Sequence, residues 1–171
     1  MDQLLFHPKV VHLPMALAVL MPLIAGGGLL AIRRGWLDPR AWAGVVLLQA
    51  VLVGSGALAM NTGEREEDRV EEVVAEAHIE AYEEAAEVFV WASGAVLLLT
   101  ALPLVFRTGR AWQVASLGAF LGTLLVFGFG YRAGEAGGKL VYEHGAAQVY
   151  VGVGGASTSA ADAENGDSDS D

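Results

Sequence analysis

Four separate stretches of the chain contain no charged residue, and each is about as long as a bilayer is thick. They cover residues 13–32, 41–60, 88–106 and 111–131. A hydrocarbon core of about 30 Å requires about 20 helical residues, so each stretch is long enough for one transmembrane helix. Continuous apolarity, and the need to pair backbone groups within each segment, favour helices over strands. The sequence therefore predicts an all-α fold, an integral membrane four-helix bundle.

Composition supports a membrane location and limits the chemistry that the chain can carry. The 171 residues are enough for a single domain. Hydrophobic residues make up 54% and charged residues 18%, whereas soluble domains average about 25% charged residues. A formal net charge of −10 disfavours nucleic acid as a partner. The chain contains no cysteine, which excludes disulfides, zinc ribbons and cysteine-ligated iron–sulfur clusters.

Basic residues predict the orientation of the spans. The links between spans one and two and between spans three and four are short, so each pair of spans should form an antiparallel hairpin. The two sides of the membrane carry equal numbers of basic residues, but the short links contain far more of them per residue. The positive-inside rule therefore places the short links in the cytoplasm. The bases of the short links are Arg33, Arg34, Arg40, Arg107 and Arg110. We therefore expect a multi-pass protein of the cell membrane with both termini extracytoplasmic. Trp36, Trp42 and Trp112 would form an aromatic belt on the cytoplasmic side.

The segment between spans two and three is predicted to be helical. Asn61, followed three residues later by Glu64, is typical of a helix N-cap, and residues 64–93 contain neither glycine nor proline. We expect one helix that extends outside the bilayer and continues into span three, with an apolar stripe facing the bundle. The stripe includes Val70, Val74, Ala77, Ala81 and Ala85. Glutamates on the other faces indicate a solvated acidic surface, which also suits a halophilic source.

The predicted membrane domain covers residues 1–151, and residues 152–171 form an acidic tail. The tail is rich in Gly, Ser, Ala and Asp and is predicted to be disordered. Within the spans, Gly118 and Gly122 have the small-xxx-small spacing that lets membrane helices approach closely. Gln49 is strongly polar and deep in a span, so we expect it to form a hydrogen bond to another helix.

The histidines are the candidate ligand residues. They are His7, His12, His78 and His144, and the predicted topology places them at the extracytoplasmic end of the bundle. Neutral imidazole ligates transition metals and haem iron. The histidines could therefore supply axial ligands to a b-type haem or hold one metal ion. Alternatively, they are structural and form hydrogen bonds that cap the bundle. No HExxH or CxxCH motif decides between these interpretations.

Two motifs add a family resemblance. Residues 6–14, Phe-His-Pro-Lys-Val-Val-His-Leu-Pro, followed by Met-Ala-Leu, resemble the HPxxVHFPIAL opening of a family of small bacterial and archaeal membrane proteins, catalogued as domain of unknown function 2231. Residues 137–145, Gly-Gly-Lys-Leu-Val-Tyr-Glu-His-Gly, are similar to that family's GGxLVYxHG ending. The resemblance implies a four-helix membrane domain with the motif histidines, His7, His12 and His144, at one end. It implies no established activity.

Together these observations predict a redox-associated membrane subunit that binds b-type haem or a transition metal. It would pass electrons to a membrane complex or a quinone rather than catalyse a reaction by itself, so an enzyme is the less favoured class. The alternative function is a non-enzymatic membrane scaffold or interaction protein with structural histidines. In either case the lipid bilayer is the expected partner of the apolar spans.

Overall fold

The helices of the fold match the apolar stretches of the sequence. The computed structural model describes residues 6–64, 76–106 and 109–142, and within those residues it is helical with no strand. The long helices are α1 (Phe6–Arg33), α2 (Trp42–Glu64), α3 (Glu76–Phe106) and α4 (Gly109–Tyr142). Each of them is long and apolar enough to cross a membrane. The predicted all-α class and the four-helix membrane bundle are therefore confirmed.

The helices form a ring in which neighbours in sequence run antiparallel. α1 packs against α2, α2 against α3 and α3 against α4, and α4 packs back onto α1. α1 and α3 therefore lie diagonally across the bundle. The arginine end of the bundle carries Arg33, Arg34, Arg40 and Arg110. The histidine end is formed by the first turns of α1 and α3 and the last turns of α2 and α4. Such up-down-up-down bundles build their core from the facing stripes of the helices.

Buried residues recur every three or four positions along the helices. On α4 they include Trp112, Ser116, Ala119, Thr123, Val126 and Ala133, and on α3 they include Phe89, Ser93, Val96 and Thr100. An average spacing of 3.5 residues keeps one stripe of a helix facing its partners, as in left-handed bundles. The opposite faces expose many leucine, valine and phenylalanine side chains. Such large apolar surfaces mark contact with lipid, which agrees with a multi-pass membrane protein.

Glycines on α4 allow neighbouring helices to come close. A Cβ atom at Gly122 would lie 3.0 Å from Val96 Cγ2 of α3, and one at Gly130 would lie 3.1 Å from Phe89 Cε2. The predicted close approach is therefore confirmed at Gly122. It is wrong at Gly118, which is exposed and where a Cβ atom would meet nothing within 4 Å. Four residues correspond to slightly more than one helical turn, and the α3 contact follows the 3.5-residue stripe instead.

The uncharged part of α4 indicates where the bilayer lies. Between Arg110 and Arg132, α4 has no charged residue and rises about 33 Å, close to the hydrocarbon thickness of about 30 Å. The last turns of α4 and the first turns of α3 therefore project beyond the hydrocarbon at the histidine end. The apolar helical segments accordingly continue outward to Ile79 on α3 and to Lys139 on α4. The predicted extension of span three as one helix is confirmed from Glu76 onward.

The predicted helix start at Asn61 is wrong. α2 continues through Asn61 to Glu64, and Thr62 Oγ1 donates a hydrogen bond to the carbonyl oxygen of Leu58 in the preceding turn. The same Asn-Thr-Gly-Glu run that resembles an N-cap is thus the last turn of the preceding helix. Residues 65–75 lie outside the described residues, and with them the predicted inward positions of Val70 and Val74.

The predicted inward position of Ala81 is also wrong. Ala81 is exposed, whereas Ile79 is buried and Tyr82 is half-buried. Tyr82 lies against Gly137 of α4, where a Cβ atom would be 3.2 Å from Tyr82 Cε2. Isoleucine and tyrosine bury more apolar area than alanine. The stripe through Ile79 and Tyr82 therefore faces the bundle. Of the predicted alanine stripe, Ala85 is half-buried and packs against the core, as predicted, and Ala81 does not.

The aromatic belt at the arginine end is wrong for Trp42 and Trp112. Both are buried, and their rings pack edge to face with centroids 6.2 Å apart. Trp42 Nε1 donates a hydrogen bond to the carbonyl oxygen of Thr100 over 2.9 Å. Trp36 is 70% exposed and has the guanidinium of Arg34 5.2 Å from its ring centroid. Of the predicted belt, Trp36 alone has the exposure that an interfacial tryptophan requires.

Candidate functional site

Contacts of α4 with both of its neighbours fix the levels of residues at the histidine end. A Cβ atom at Gly134 would lie 3.1 Å from Met15 Cε of α1, and one at Gly137 would lie 3.2 Å from Tyr82 Cε2 of α3. Gly134 and Gly137 lie about one turn apart on α4. Neither has a side chain, so Met15 and Tyr82 can contact the α4 backbone directly at these two positions. Met15 and Tyr82 therefore occupy the space that the glycines leave.

His12 lies at the rim of the bundle on α1. It is three residues nearer the helix start than Met15, which places it about 4.5 Å further out, near the level of Gly137. This level lies beyond Arg132, where the hydrocarbon ends. The His12 side chain is exposed. An imidazole at such a position can be reached by water and by dissolved ions.

His7 and His78 are placed by the backbones of their helices. His7 belongs to the first turn of α1 and His78 to the first turn of α3, so both lie at the histidine end. Because α1 and α3 are diagonal, these two segments stand on opposite sides of the bundle axis. His144 lies outside the described residues. In the sequence it follows Tyr142, the last residue of α4, by two positions, and α4 lies between α1 and α3 in the ring.

A shared ligand site remains a prediction. The structure brings the segments that carry His7, His12 and His78 to one end of the bundle. Among the residues that it describes, no three histidine, aspartate or glutamate side chains are close enough to hold a metal ion together. The side chains of His7, His78 and His144 are not among the described ones, so the shared site stays open to test.

Charge at the histidine end is divided between the helices. α3 carries the acids Glu76, Glu80, Glu83, Glu84 and Glu87, whereas α1 and α4 carry the bases Lys9, Arg132 and Lys139. Lys139 Nζ lies 2.9 Å from Glu135 Oε1 on α4, an exposed pair that contributes little to stability. Glu87 Oε1 accepts a hydrogen bond from Trp91 Nε1 over 3.2 Å. The α3 side of this end therefore attracts cations, and the α1 and α4 side attracts anions.

A second polar group lies near the middle of the membrane. Gln49 Nε2 donates a hydrogen bond to the carbonyl oxygen of Ser93 over 3.1 Å, which confirms the predicted bond between helices. Ser93 and Thr123 are also buried, and each hydroxyl donates to a carbonyl oxygen of its own helix. No local motif marks these hydroxyls. The seven-residue spacings from Ser93 to Thr100 on α3 and from Ser116 to Thr123 on α4 are the signal that places them on the buried stripe of each helix.

Comparison with known proteins adds no family to this description. No protein-family model matches the chain. Searches of curated proteins and of solved structures gave no significant match either. The resemblance to domain of unknown function 2231 therefore stays a prediction that depends on the two sequence motifs.

Proposed function

We propose that the chain is a redox-associated membrane subunit that binds a transition-metal ion through histidines at the histidine end. The observation that carries this proposal is the placement of His7, His12 and His78, on helices whose first turns lie at the same end of the bundle. His144 follows α4, which lies between those helices. Helix bundles commonly hold metals with side chains drawn from several helices, and imidazole is a common ligand of transition metals.

Packing supports a metal ion in preference to a b-type haem. A haem bound between helices needs a flat slot at the level of its axial histidines. Near the level of His12, Tyr82 lies against Gly137 of α4, and one turn below it Met15 lies against Gly134. A metal ion needs imidazole nitrogens at about 2.0–2.1 Å and can be held at the rim, where His12 is exposed. Haem is the alternative cofactor of the same proposal.

The acidic face of α3 also supports a cationic ligand. Glu80, Glu84 and Glu87 are exposed and lie on the same helix as His78. A cluster of negative charge raises the local concentration of cations, and the effect weakens as ionic strength rises. Metal uptake at this end should therefore be faster at low salt.

The described membrane core offers no acid or base for the proposed electron transfer. The buried polar residues of the described core carry amide, indole and hydroxyl groups, which do not change protonation state near neutral pH. Electron transfer would then take place at the histidine end, with a partner that meets the chain there. A membrane complex or a quinone is the proposed partner, on the extracytoplasmic side of the cell membrane.

A non-enzymatic scaffold is the second candidate function. One observation favours it: the helices expose many large apolar side chains on their outer faces. In that case the histidines would form separate hydrogen bonds at the bundle end, and the exposed apolar faces would contact other membrane proteins.

Metal analysis of the purified protein distinguishes the two functions. The full chain would be isolated in detergent with an affinity tag that lacks histidine, and its metal content and reduced-minus-oxidised visible spectrum would be recorded. We expect about one transition-metal ion per chain, and an at least tenfold weaker affinity, about 1.4 kcal/mol, in the double variant His12→Ala/His78→Ala. Gln113→Ala, an exposed position near the arginine end, is the control and should bind as the wild type does.

Other results have defined meanings. If the wild type shows the absorption bands of a reduced haem and the histidine variant does not, the cofactor of the proposed function is haem and not a metal ion. If the purified wild type contains neither metal nor haem, and binds neither when it is supplied, the redox function is contradicted. The scaffold function is then the remaining candidate.

A further inference from the structure

A groove that opens to the lipid lies between α1 and α4, outside the bundle core. Its volume is about 400 Å³. Met15, Ala18 and Val19 of α1 and Phe127, Gly130 and Tyr131 of α4 form its walls. These side chains are apolar except for the Tyr131 hydroxyl, and Glu135 stands at the outer end of the groove. The groove is therefore a mainly apolar channel with a polar mouth.

The position of the groove relative to the bilayer defines what can fill it. Between Phe127 and Glu135, α4 rises about 12 Å. Arg132, at which the uncharged part of α4 ends, lies between these two residues. The inner part of the groove is therefore at the level of lipid chains, and its mouth is at the level of lipid headgroups. A matching ligand joins an apolar chain to a polar headgroup.

We propose that the groove binds one phospholipid from the leaflet at the histidine end. One acyl chain would lie along Val19 and Phe127, and the phosphate would lie near Arg132. Charge favours this ligand, because Lys139 compensates Glu135 at the mouth and leaves the positive charge of Arg132 next to it on α4, whereas the clustered acids are on α3. Arginine is well suited to bind phosphate through charge-assisted hydrogen bonds.

Neighbouring polar groups are compatible with a phosphate at this level. The carboxylate of Glu135 is compensated by Lys139, whose Nζ lies 2.9 Å away. Tyr131 is 66% exposed, and its hydroxyl can donate a hydrogen bond to a phosphate oxygen. The acidic face of α3 would repel a phosphate, but α3 contributes no residue to the walls of the groove.

Photo-crosslinking tests where the acyl chain lies. The full chain would be placed in lipid nanodiscs that contain phosphatidylglycerol with a diazirine in one acyl chain, and labelled residues would be mapped by mass spectrometry. Val19 is 54% and Leu23 70% exposed, while Phe127 is 40% and Leu125 64% exposed. A bound lipid predicts severalfold more labelling at Val19 and Phe127 than at Leu23 and Leu125. Labelling that simply follows exposure would contradict the proposal.

Filling the groove tests lipid retention independently. Val19→Trp places an indole in the groove, and Leu23→Trp places one on the same helix outside it. After detergent purification and solvent extraction, the wild type and Leu23→Trp should retain about one phospholipid per chain, and Val19→Trp should retain about tenfold less. Arg132→Gln should also lower retention about tenfold, because one charge-assisted hydrogen bond is lost.

Two results would overturn the lipid site without touching the metal proposal. They are equal phospholipid retention in Val19→Trp and the wild type, and an extract that contains an isoprenoid quinone in place of phospholipid. Metal content, measured on the same samples, should be unchanged in Val19→Trp because the groove lies below the level of His12.

Discussion

Gly130 shows how a missing side chain sets the packing of three helices. A Cβ atom there would lie 3.1 Å from Phe89 Cε2 of α3 and 3.2 Å from Ala18 Cβ of α1. These separations are shorter than the optimal carbon–carbon contact of about 3.5–4.0 Å. Gly128, two residues earlier on α4, is exposed, and a Cβ atom there would meet nothing within 4 Å. Gly130 therefore allows close packing between helices, whereas Gly128 is not needed for helix packing.

This difference gives a matched pair of substitutions. Gly130→Ala should lower the free energy of unfolding by about 1–3 kcal/mol, because it overpacks a contact between three helices. Gly128→Ala should leave that free energy unchanged or raise it by up to about 1 kcal/mol, because alanine has the higher helix propensity. Equilibrium unfolding in mixed micelles measures both. Equal destabilisation by the two variants would mean that α4 does not face α1 and α3 through Gly130.

The side-chain amide of Gln49 forms only one of its two kinds of hydrogen bond. Its Nε2 donates to the Ser93 carbonyl oxygen, while its Oε1 is buried with no hydrogen-bond partner in the described residues. Gln49→Met removes both the bond and the unpaired acceptor, and hydrogen bonds between membrane helices contribute about 0.6 kcal/mol on average. We expect the free energy of unfolding to change by less than about 1 kcal/mol.

Gln49→Glu is the informative comparison. It places a carboxyl group near the bilayer centre, and we expect it to be destabilising by about 2–4 kcal/mol at neutral pH. The same unfolding assay would show the difference. A large loss in Gln49→Met, comparable with that in Gln49→Glu, would indicate that the amide has a second partner.

At the scale of the element, α3 turns Ile79 toward the bundle at its outer end, where the sequence predicts Ala81. Ile79 is buried and Ala81 is exposed. The chain has no native cysteine, so single cysteines can be introduced cleanly. Ala81→Cys should react with a water-soluble maleimide at least tenfold faster than Ile79→Cys in detergent-solubilised protein, because the Ile79 side chain is 6% exposed. Faster reaction at position 79 would restore the alanine stripe as the inner face.

The sequence predicts the helices well because their signal is long and continuous. The uncharged stretches at residues 13–32, 41–60, 88–106 and 111–131 all lie within the observed long helices, except for residue 41, which directly precedes α2. The position at which a helix starts has a weaker sequence signal. The residues around Asn61 are compatible both with the N-cap of a new helix and with the last turn of the previous one. The identity of the inner face also has a weak signal when alanines and glutamates alternate. Tyr82 then decides the face by fitting against Gly137.

The candidate site is less accessible to sequence reasoning than the fold. That the histidines share one end follows from the number of spans. Which of them meet depends on the order of helices around the ring, because α1 and α3 are diagonal. Likewise, the burial of Trp42 and Trp112 depends on a contact between two diagonal helices. Tryptophans near basic residues more often predict a membrane surface position.

At the scale of the whole molecule, orientation stays a prediction that labelling can test. Arg34 lies at the arginine end and Glu80 at the histidine end, and both are exposed. In intact cells, an impermeant maleimide should label Glu80→Cys, whereas Arg34→Cys should react only after lysis. Base density in the short links is the reason for this expectation. The reverse pattern would place the histidine end in the cytoplasm.

That the histidine-bearing segments gather at one end of the bundle is tested most directly by a distance. Spin labels on His12→Cys and His78→Cys, measured by pulsed double electron–electron resonance in nanodiscs, report on α1 and α3 together. Neighbouring axes about 8–10 Å apart put diagonal axes about 11–14 Å apart. With the label arms added, we predict about 15–30 Å. The reference pair Arg34→Cys and Glu80→Cys should give about 40 Å. A His12–His78 distance as long as that of the reference pair would contradict the gathering of the histidines and the metal site built on it.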